Sequence, residues 1–358
     1  MERKIKVLIV DDSAMIRSLL VEGLGRFPFI EVVGSAPDPI LAKEKILRLQ
    51  PDVLSLDVEM PRMDGLTFLM QMMAEHPMPV IMVSSFTRSG CELTLQCLEA
   101  GAVDFVAKPM TGTDGLHAMI EDLADKIKFA SRVKIRQRGS GIKSEPLQSA
   151  APLPPRFLDD PIAGMIAIGA STGGTEAIRE ILERMSGTIP GILVVQHMPE
   201  KFTHSFAQRL DKLCPFEVRE ARDGDRVQPG RVLIAPGNFH MSVRKQGKDL
   251  LVELSESPPV NGHRPSVDVL FNSIAKTGRE NTIGILLTGM GKDGAQGLLA
   301  LKKTGARTIA QDEMSCVVFG MPKEAVKIGA AEKIVPLSKI PEEIYAILAG
   351  GIPSTATP

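Results

Sequence analysis

Short, unbroken apolar runs recur along this chain, with amphipathic segments between them. Before residue 130 the runs are Lys6–Val10, Glu31–Gly34, Val53–Leu56, Val80–Val83 and Val103–Val106. Helical patterns such as Ala14–Gly25 and Pro39–Leu49 fill the gaps. A strand that is apolar on both faces must be covered on both faces, which is the condition of a parallel sheet flanked by helices. Five β-then-α units therefore predict an α/β fold with five parallel strands. Beyond residue 160 the pattern returns in Met165–Ile168, Gly191–Val195, Arg231–Ile234, Thr282–Leu287 and Arg307–Ala310. These predict a second, doubly wound and mostly parallel α/β unit, with Asp249–Ser255 as an additional, antiparallel strand.

Ser131–Asp160 interrupts the alternation. It holds Pro146, Pro152, Pro154 and Pro155 with Gly139 and Gly141, and shows neither period 3.6 nor period 2. Proline removes a donor and fixes φ, so the stretch reads as a linker. The predicted boundaries are 1–130, a linker at 131–160, 161–348, and a frayed tail at 349–358. The 42 Lys and Arg balance 43 Asp and Glu, so there is no basic footprint for nucleic acid. With 13 Phe, one Tyr and no Trp, the composition argues against base stacking on an aromatic platform as the main business of the chain. The four cysteines, 91, 97, 214 and 316, have no metal or redox-pair spacing and read as reduced thiols. The opening Met1-Glu2-Arg3-Lys4-Ile5-Lys6 runs straight into a strand rather than a signal segment, and no apolar run approaches the ~18 residues of a membrane span. The expectation is a soluble, cytoplasmic protein.

In an open parallel sheet the ligand crevice lies beyond the carboxyl ends of the strands. On that rim of the first unit, Asp11 and Asp12 follow the first run, Asp57 the third and Ser84 the fourth. Lys108-Pro109 follows the fifth, with an X-Pro bond open to the cis form. A single strand-end Asp can simply cap a helix; five such positions together argue for a site. Three carboxylates repel one another unless a hard cation joins them, and Mg²⁺ is the natural candidate. With the stretch Asp57-Val58-Glu59-Met60-Pro61-Arg62-Met63-Asp64-Gly65, these features make residues 5–128 resemble a response-regulator receiver domain. The resemblance implies a flavodoxin-like fold with Asp57 as phosphoacceptor. It implies Mg²⁺ on Asp12, Asp57 and the Glu59 backbone carbonyl, with Asp11 helping through water. Lys108 and Ser84 would hold the phosphoryl oxygens, and Phe105 would be the aromatic switch.

In the second unit Gly169-x-Ser171-x-Gly173 follows a strand and precedes a helix whose Ala177, Ile178, Ile181, Leu182 and Met185 share a face. That is the context of a nucleophile elbow, although a serine in such a turn can also serve only as a cap. A serine nucleophile needs a base. His197 follows the next strand on the same rim, with His204 and His240 as rivals, His204 falling inside a helical segment. Asp293, after the strand Thr282–Leu287, would orient it. The order Ser, His, Asp is not that of the α/β-hydrolases, chymotrypsin or subtilisin. A competing reading uses the same stretch: Gly289-x-Gly291-x-x-Gly294, with Asp312 downstream, fits a dinucleotide fingerprint and would make the protein a nucleotide-binding oxidoreductase. Against it, the motif comes after at least three strands, and such an enzyme needs no strand-end Ser and His.

Residues 162–347 also resemble the catalytic domain of the CheB family of chemotaxis receptor methylesterases. The resemblance rests on Gly169–Gly174, Val194–Pro199, Ile234-Ala235-Pro236-Gly237-Asn238-x-His240, Arg264–Phe271 and Leu287–Gly294. It implies a triad of Ser171, His197 and Asp293 with no cofactor for the esterase. The substrates implied are glutamate methyl esters and glutamine amides on chemoreceptor cytoplasmic domains, and the phosphodonor a chemotaxis histidine kinase. Backbone N–H groups of Met290 and Thr172 are candidates for the oxyanion hole. The protein would be a monomer without nucleic acid or membrane insertion, its resting receiver packed over the active-site cleft until Asp57 is phosphorylated.

Overall fold

Each of these apolar runs is a strand in the computed structural model, which describes residues 3–109, 113–133, 164–185, 189–278 and 281–350. Most of the expected linker, and the tail beyond Gly350, lie outside the described residues. The chain divides into two compact units, Met1–Lys143 and Ser144–Pro358.

The first unit runs β1 (Ile5–Val10), α1 (Ala14–Gly25), β2 (Ile30–Ala36), α2 (Pro39–Leu49), β3 (Val53–Asp57), α3 (Gly65–Glu75), β4 (Val80–Ser84), α4 (Arg88–Glu99), β5 (Asp104–Ala107) and α5 (Thr113–Ala130). The five strands are parallel in the order β2-β1-β3-β4-β5. β3 and β4 are buried at every residue, which is why they read as continuous apolar runs. Ser13, Asp38, Asp64 and Thr87 cap α1 to α4 by accepting from backbone amides of the first turn. The core joins Val7, Ile9 and Ile81 of the sheet to Leu20 and Leu24 of α1 and Leu123 and Ile127 of α5. Strand order reverses between β1 and β3, so the crevice opens between Asp11 and Asp57. The Lys108–Pro109 bond is trans; the cis peptide bond among the described residues is Arg264–Pro265.

The second unit runs β6 (Met165–Ala170), α6 (Gly174–Glu183), β7 (Gly191–Gln196), α7 (Phe202–Leu213), β8 (Glu217–Glu220), β9 (Arg231–Ile234), β10 (His240–Gln246), β11 (Asp249–Ser255), α8 (Val267–Thr277), β12 (Thr282–Leu286), α9 (Ala295–Lys303), β13 (Arg307–Gln311), α10 (Met321–Lys327), β14 (Lys333–Val335) and α11 (Ile340–Leu348). Seven of these strands form a parallel sheet in the order β14-β13-β12-β6-β7-β9-β8. The antiparallel strand expected at Asp249–Ser255 pairs instead with β10 in a separate hairpin. Strands β8, β10 and β14 carry no long apolar run. β8 reads Glu-Val-Arg-Glu and β14 has three residues, and both lie at sheet edges, where charge and shortness discourage pairing with another chain. The chain starts this sheet at its centre, extends through β7, β9 and β8 on one side, then returns to lay β12 on the other. The switch point therefore falls between β6 and β12, and both strand ends, with that of β7, face one crevice. No helix among the described residues is long and apolar enough to cross a membrane.

Candidate functional site

At the β1/β3 switch point, Asp11 and Asp57 are almost fully buried and Asp12 is exposed. Carboxylate oxygens of all three lie within 4.8 Å of one another. The Lys108 ammonium is 2.9 Å from Asp11 Oδ2 and 2.9 Å from Asp57 Oδ2. Burial pushes the Asp57 carboxyl up to about 6; Lys108 pulls it down and the charge on Asp11 pushes it further up. Burial favours neutral Lys108, but Asp57 and Asp11 win and hold it protonated above the usual lysine range. The one ammonium thus bridges two of the three acids, and the donor set of hard oxygens suits a divalent cation of the Mg²⁺ kind. Gly65 lets the loop after β3 close here, since a Cβ would sit 2.2 Å from the Asp57 carbonyl oxygen.

Of the other rim residues, Ser84 is buried, and its hydroxyl donates to the Gly90 carbonyl at 3.2 Å while accepting from Thr94 at 2.6 Å. The hydroxyls of Ser85, Thr87 and Ser89, just after β4, all donate to the Glu59 carboxylate. The Phe105 ring is buried, with the Lys126 ammonium 5.5 Å from its centroid.

In the second unit three strand ends converge. Ser171 follows β6 in a turn whose Gly173 has φ 75°, a conformation that favours glycine. Gly174 is equally constrained, because a Cβ would lie 2.6 Å from that of Ala170. The Ser171 amide donates to the Thr288 carbonyl at 3.0 Å, tying the β6 turn to the loop after β12. The His197 amide donates to the Ala170 carbonyl at 3.1 Å, which sets the end of β7 beside the serine. Gln196 Nε2 reinforces this by donating to the carbonyls of Ser171 and His197 at 2.9 and 3.2 Å.

His197 Nε2 meets Asp293 Oδ2 at 2.8 Å, and both side chains are buried. Asp293 also accepts from the Val267 amide at 2.7 Å, the Ser266 hydroxyl at 2.7 Å, Asn261 Nδ2 at 2.8 Å and the Asp268 amide at 3.3 Å. It therefore caps α8 from another part of the chain, where the helix dipole favours an anion. Burial alone would raise its pKa, but His197, Asn261 and Ser266 hold the carboxyl well below the usual carboxylate range. An ionised Asp293 requires a proton on His197 Nε2, so the neutral ring has its lone pair on Nδ1. Nδ1 is buried and has no hydrogen-bond partner.

Gly289 lies against the serine: a Cβ there would be 2.8 Å from Ser171 Cβ and 2.3 Å from Met321 Sδ. The loop carrying the Met290 amide is thus part of the same site, and the Thr172 carbonyl accepts from the Thr288 hydroxyl at 3.0 Å. This gives the glycines of the dinucleotide pattern other work. Gly294, at φ 83°, packs where a Cβ would be 2.6 Å from Val267 Cγ1, and Asp312 accepts from the amide and hydroxyl of Ser315 in its own turn. Of the rival histidines, His204 is exposed 3.5 Å from Glu220. His240 is buried, its Nδ1 accepting from the Ser266 amide and its Nε2 lying 3.1 Å from the Pro258 carbonyl oxygen. Sequence reasoning gave no role to Asn261, His263, Ser266 or Gln196. Gln196 and Ser266 lie in stretches that carry the family resemblance, and the Asn261-Gly262 pair carried the signal of a tight hairpin turn.

Two family models match the chain: "Response regulator receiver domain" over residues 7–121 and "CheB methylesterase" over residues 166–344. A Bordetella bronchiseptica protein named protein-glutamate methylesterase/protein-glutamine glutaminase is 56% identical over 351 residues, covering 97% of this chain and 98% of that protein. A protein of the same name from Syntrophotalea carbinolica is 51% identical over 349 residues, covering 97% and 99%. The crystal structure of the Thermotoga maritima CheB methylesterase catalytic domain matches with a TM-score of 0.50 at 42% identity, covering 51% of this chain and 97% of that one.

Proposed function

This chain belongs to the CheB methylesterase family, with a receiver domain ahead of its catalytic part, and on that premise we propose that Ser171, His197 and Asp293 perform its hydrolysis. The enzyme is a phosphorylation-regulated protein-glutamate methylesterase and protein-glutamine deamidase acting in chemotaxis. The oxidoreductase alternative finds no support among its relatives.

His197 Nδ1 takes the proton of Ser171, and the alkoxide attacks the side-chain carbonyl of a methylated glutamate. The Met290 and Thr172 amides are the proposed donors to the oxyanion. The imidazolium returns its proton to the leaving oxygen, methanol departs, and a glutamyl ester on Ser171 remains. Water, deprotonated by His197, attacks that ester and releases glutamate and the serine hydroxyl. With a glutamine substrate the same steps expel ammonia. Asp293 keeps the proton on Nε2 and balances the imidazolium. The observation that carries this reading is the Asp293 contact on Nε2, which leaves Nδ1 buried and unpartnered in a residue whose backbone amide bonds the carbonyl of Ala170, just before Ser171. Its test is methanol release from methylated receptor cytoplasmic domains. The Ser171→Ala protein, which loses a hydroxyl from a surface turn and little packing, should stay folded and release none above background. Near-normal release would remove Ser171 from the chemistry.

In the receiver, Asp57 is the proposed nucleophile toward a phosphoryl group from a chemotaxis histidine kinase. Asp11, Asp12, Asp57 and the Glu59 carbonyl would hold Mg²⁺, whose role is to neutralise charge on the transferring group. Lys108 supplies one phosphoryl contact from where it stands. Ser84 supplies another once its hydroxyl leaves the Gly90 carbonyl, and Phe105 reports the change as the switch. The reading includes a cytoplasmic monomer whose catalytic rate follows the receiver's phosphorylation state.

A further inference from the structure

One tight turn touches both the acid and the base of the hydrolytic site. Val260 and His263 exchange backbone hydrogen bonds of 3.1 and 3.0 Å. Between them Asn261 and Gly262 have φ of 53° and 81°. That left-handed pair is the signature of a type I′ turn, whose register is set by its two central residues. From this turn Asn261 Nδ2 reaches Asp293 Oδ1 and Asp268 Oδ2, each at 2.8 Å. Two residues on, the His263 ring lies face to face with that of His197, with centroids 3.7 Å apart and planes 15° from parallel.

We propose that Asn261-Gly262-His263 is a positioning element for hydrolysis: His263 fixes the ring plane of His197, and Asn261 fixes the carboxylate that orients it. The proposal rests on the triad reading above. A hydrogen bond at Nε2 pins one point of the imidazole, close to the Cβ–Cγ axis. Rotation about that axis moves Nε2 little and swings Nδ1, which lies further off, out of line with the serine. A flat ring stacked in parallel opposes that rotation along its whole face. It also offers a π face to the imidazolium that forms when Ser171 gives up its proton. Asn261 does for the acid what His263 does for the base, and the turn makes the two settings one.

The test is the kinetics of methanol release by the full-length chain on methylated receptor cytoplasmic domains. Misplacing a base by a fraction of an ångström to an ångström costs on the order of 10–100-fold. His263→Ala should therefore lower kcat by about that factor with little change in KM. His263→Phe, which keeps a flat ring and has no titratable group, should recover most of kcat, whereas His263→Leu, similar in bulk but not planar, should not. Asn261→Ala should lower kcat and shift the proton NMR signal of the His197–Asp293 hydrogen bond, which His263→Phe should leave in place. Asn261 is exposed, so its replacement removes little packing; His263 is half-buried against His197, which is why the Phe and Leu variants keep its bulk. If His263→Ala fails to fold, Phe against Leu still decides. A kcat equal to wild type in His263→Ala, or equal loss in the Phe and Leu variants, overturns the proposal. Ser171→Ala in the same assay separates the two failures: activity there defeats the triad, whereas a dead Ser171→Ala beside a fully active His263→Ala defeats only the turn.

Discussion

Asp293 accepts from five donors through two oxygens: His197 and the Val267 amide on one, and Ser266, Asn261 and the Asp268 amide on the other. Asp293→Asn can keep one carbonyl oxygen for the α8 end but must then turn an amide NH₂ toward His197. Nε2 becomes an acceptor, the ring proton moves to Nδ1, and Ser171 has no base. We expect kcat to fall by roughly 10³–10⁴-fold with the circular dichroism unchanged; a loss of only a few-fold would mean that the tautomer does not matter. Asp57 shows the opposite electrostatics. Burial pushes its carboxyl up to about 6, above the ordinary range of an Asp side chain. A carboxyl raised by folding makes the metal-free receiver lose stability as pH rises from about 4 to about 6, and the full deficit persists above that range. Asp57→Asn removes the charge. It should stabilise the receiver at pH 7.5 in EDTA by about 1–3 kcal/mol, read as a higher thermal midpoint of its transition. The gap should close as pH falls below about 4, where the carboxyl is neutral folded and unfolded alike, and narrow in Mg²⁺, which favours the ionised wild type. The same variant should keep basal esterase activity and lose stimulation by a small-molecule phosphodonor; undiminished stimulation would place the acceptor elsewhere.

The loop from β12 to α9 shows how an element is constrained by what it touches. Gly289 has Ser171 Cβ on one side and Met321 Sδ on the other. Gly289→Ala must push the loop away from the serine and carry the Met290 amide with it. Overpacking of this kind costs about 1–3 kcal/mol of stability. If Met290 is an oxyanion donor, kcat should also fall by about 10²–10³-fold with KM little changed. A variant that lost stability without losing kcat would move the oxyanion hole elsewhere. The glycines were legible in the sequence as glycines a loop needs, but their spacing equally suited a dinucleotide turn, because both uses demand a backbone free of Cβ. What separates them is the partner, and Ser171 comes more than a hundred residues earlier in the chain. The strand ends were legible for a simpler reason: a buried parallel strand is apolar throughout, so the first polar residue after it marks the rim. That places Asp11, Asp57 and Ser171, and His197 one residue beyond Gln196. Asn261, Ser266 and His263 sit in a loop between the β10–β11 hairpin and α8, and only the return of the chain to lay β12 beside β6 brings Asp293 to them. Edge strands β8 and β14 stayed hidden because an edge is kept polar or short.

At the scale of the whole molecule, the proposed hydrolytic residues come from one unit. Ser171, His197, Asp293 and their supports Asn261, Ser266 and Gln196 all lie beyond residue 143, where the second compact unit begins. Its core, including Phe271, Leu298, Val267 and Leu193, is drawn from the same unit, as the first unit's core is from its own. About 200 residues suffice to bury such a core without help. A fragment of residues 160–358 starts in the proline-rich stretch before β6 and should fold alone. If the unphosphorylated receiver acts as an inhibitor, the fragment should release methanol faster than the unphosphorylated full-length chain and ignore phosphodonors. The measurement is the initial rate at equal enzyme and substrate concentrations, with circular dichroism and a thermal transition to establish folding. A rate equal to that of the phosphorylated full-length protein would mean that phosphorylation does no more than lift the inhibition. A folded fragment slower than the resting full-length chain would make the receiver an activator, one that the catalytic unit needs for docking the receptor or completing its site.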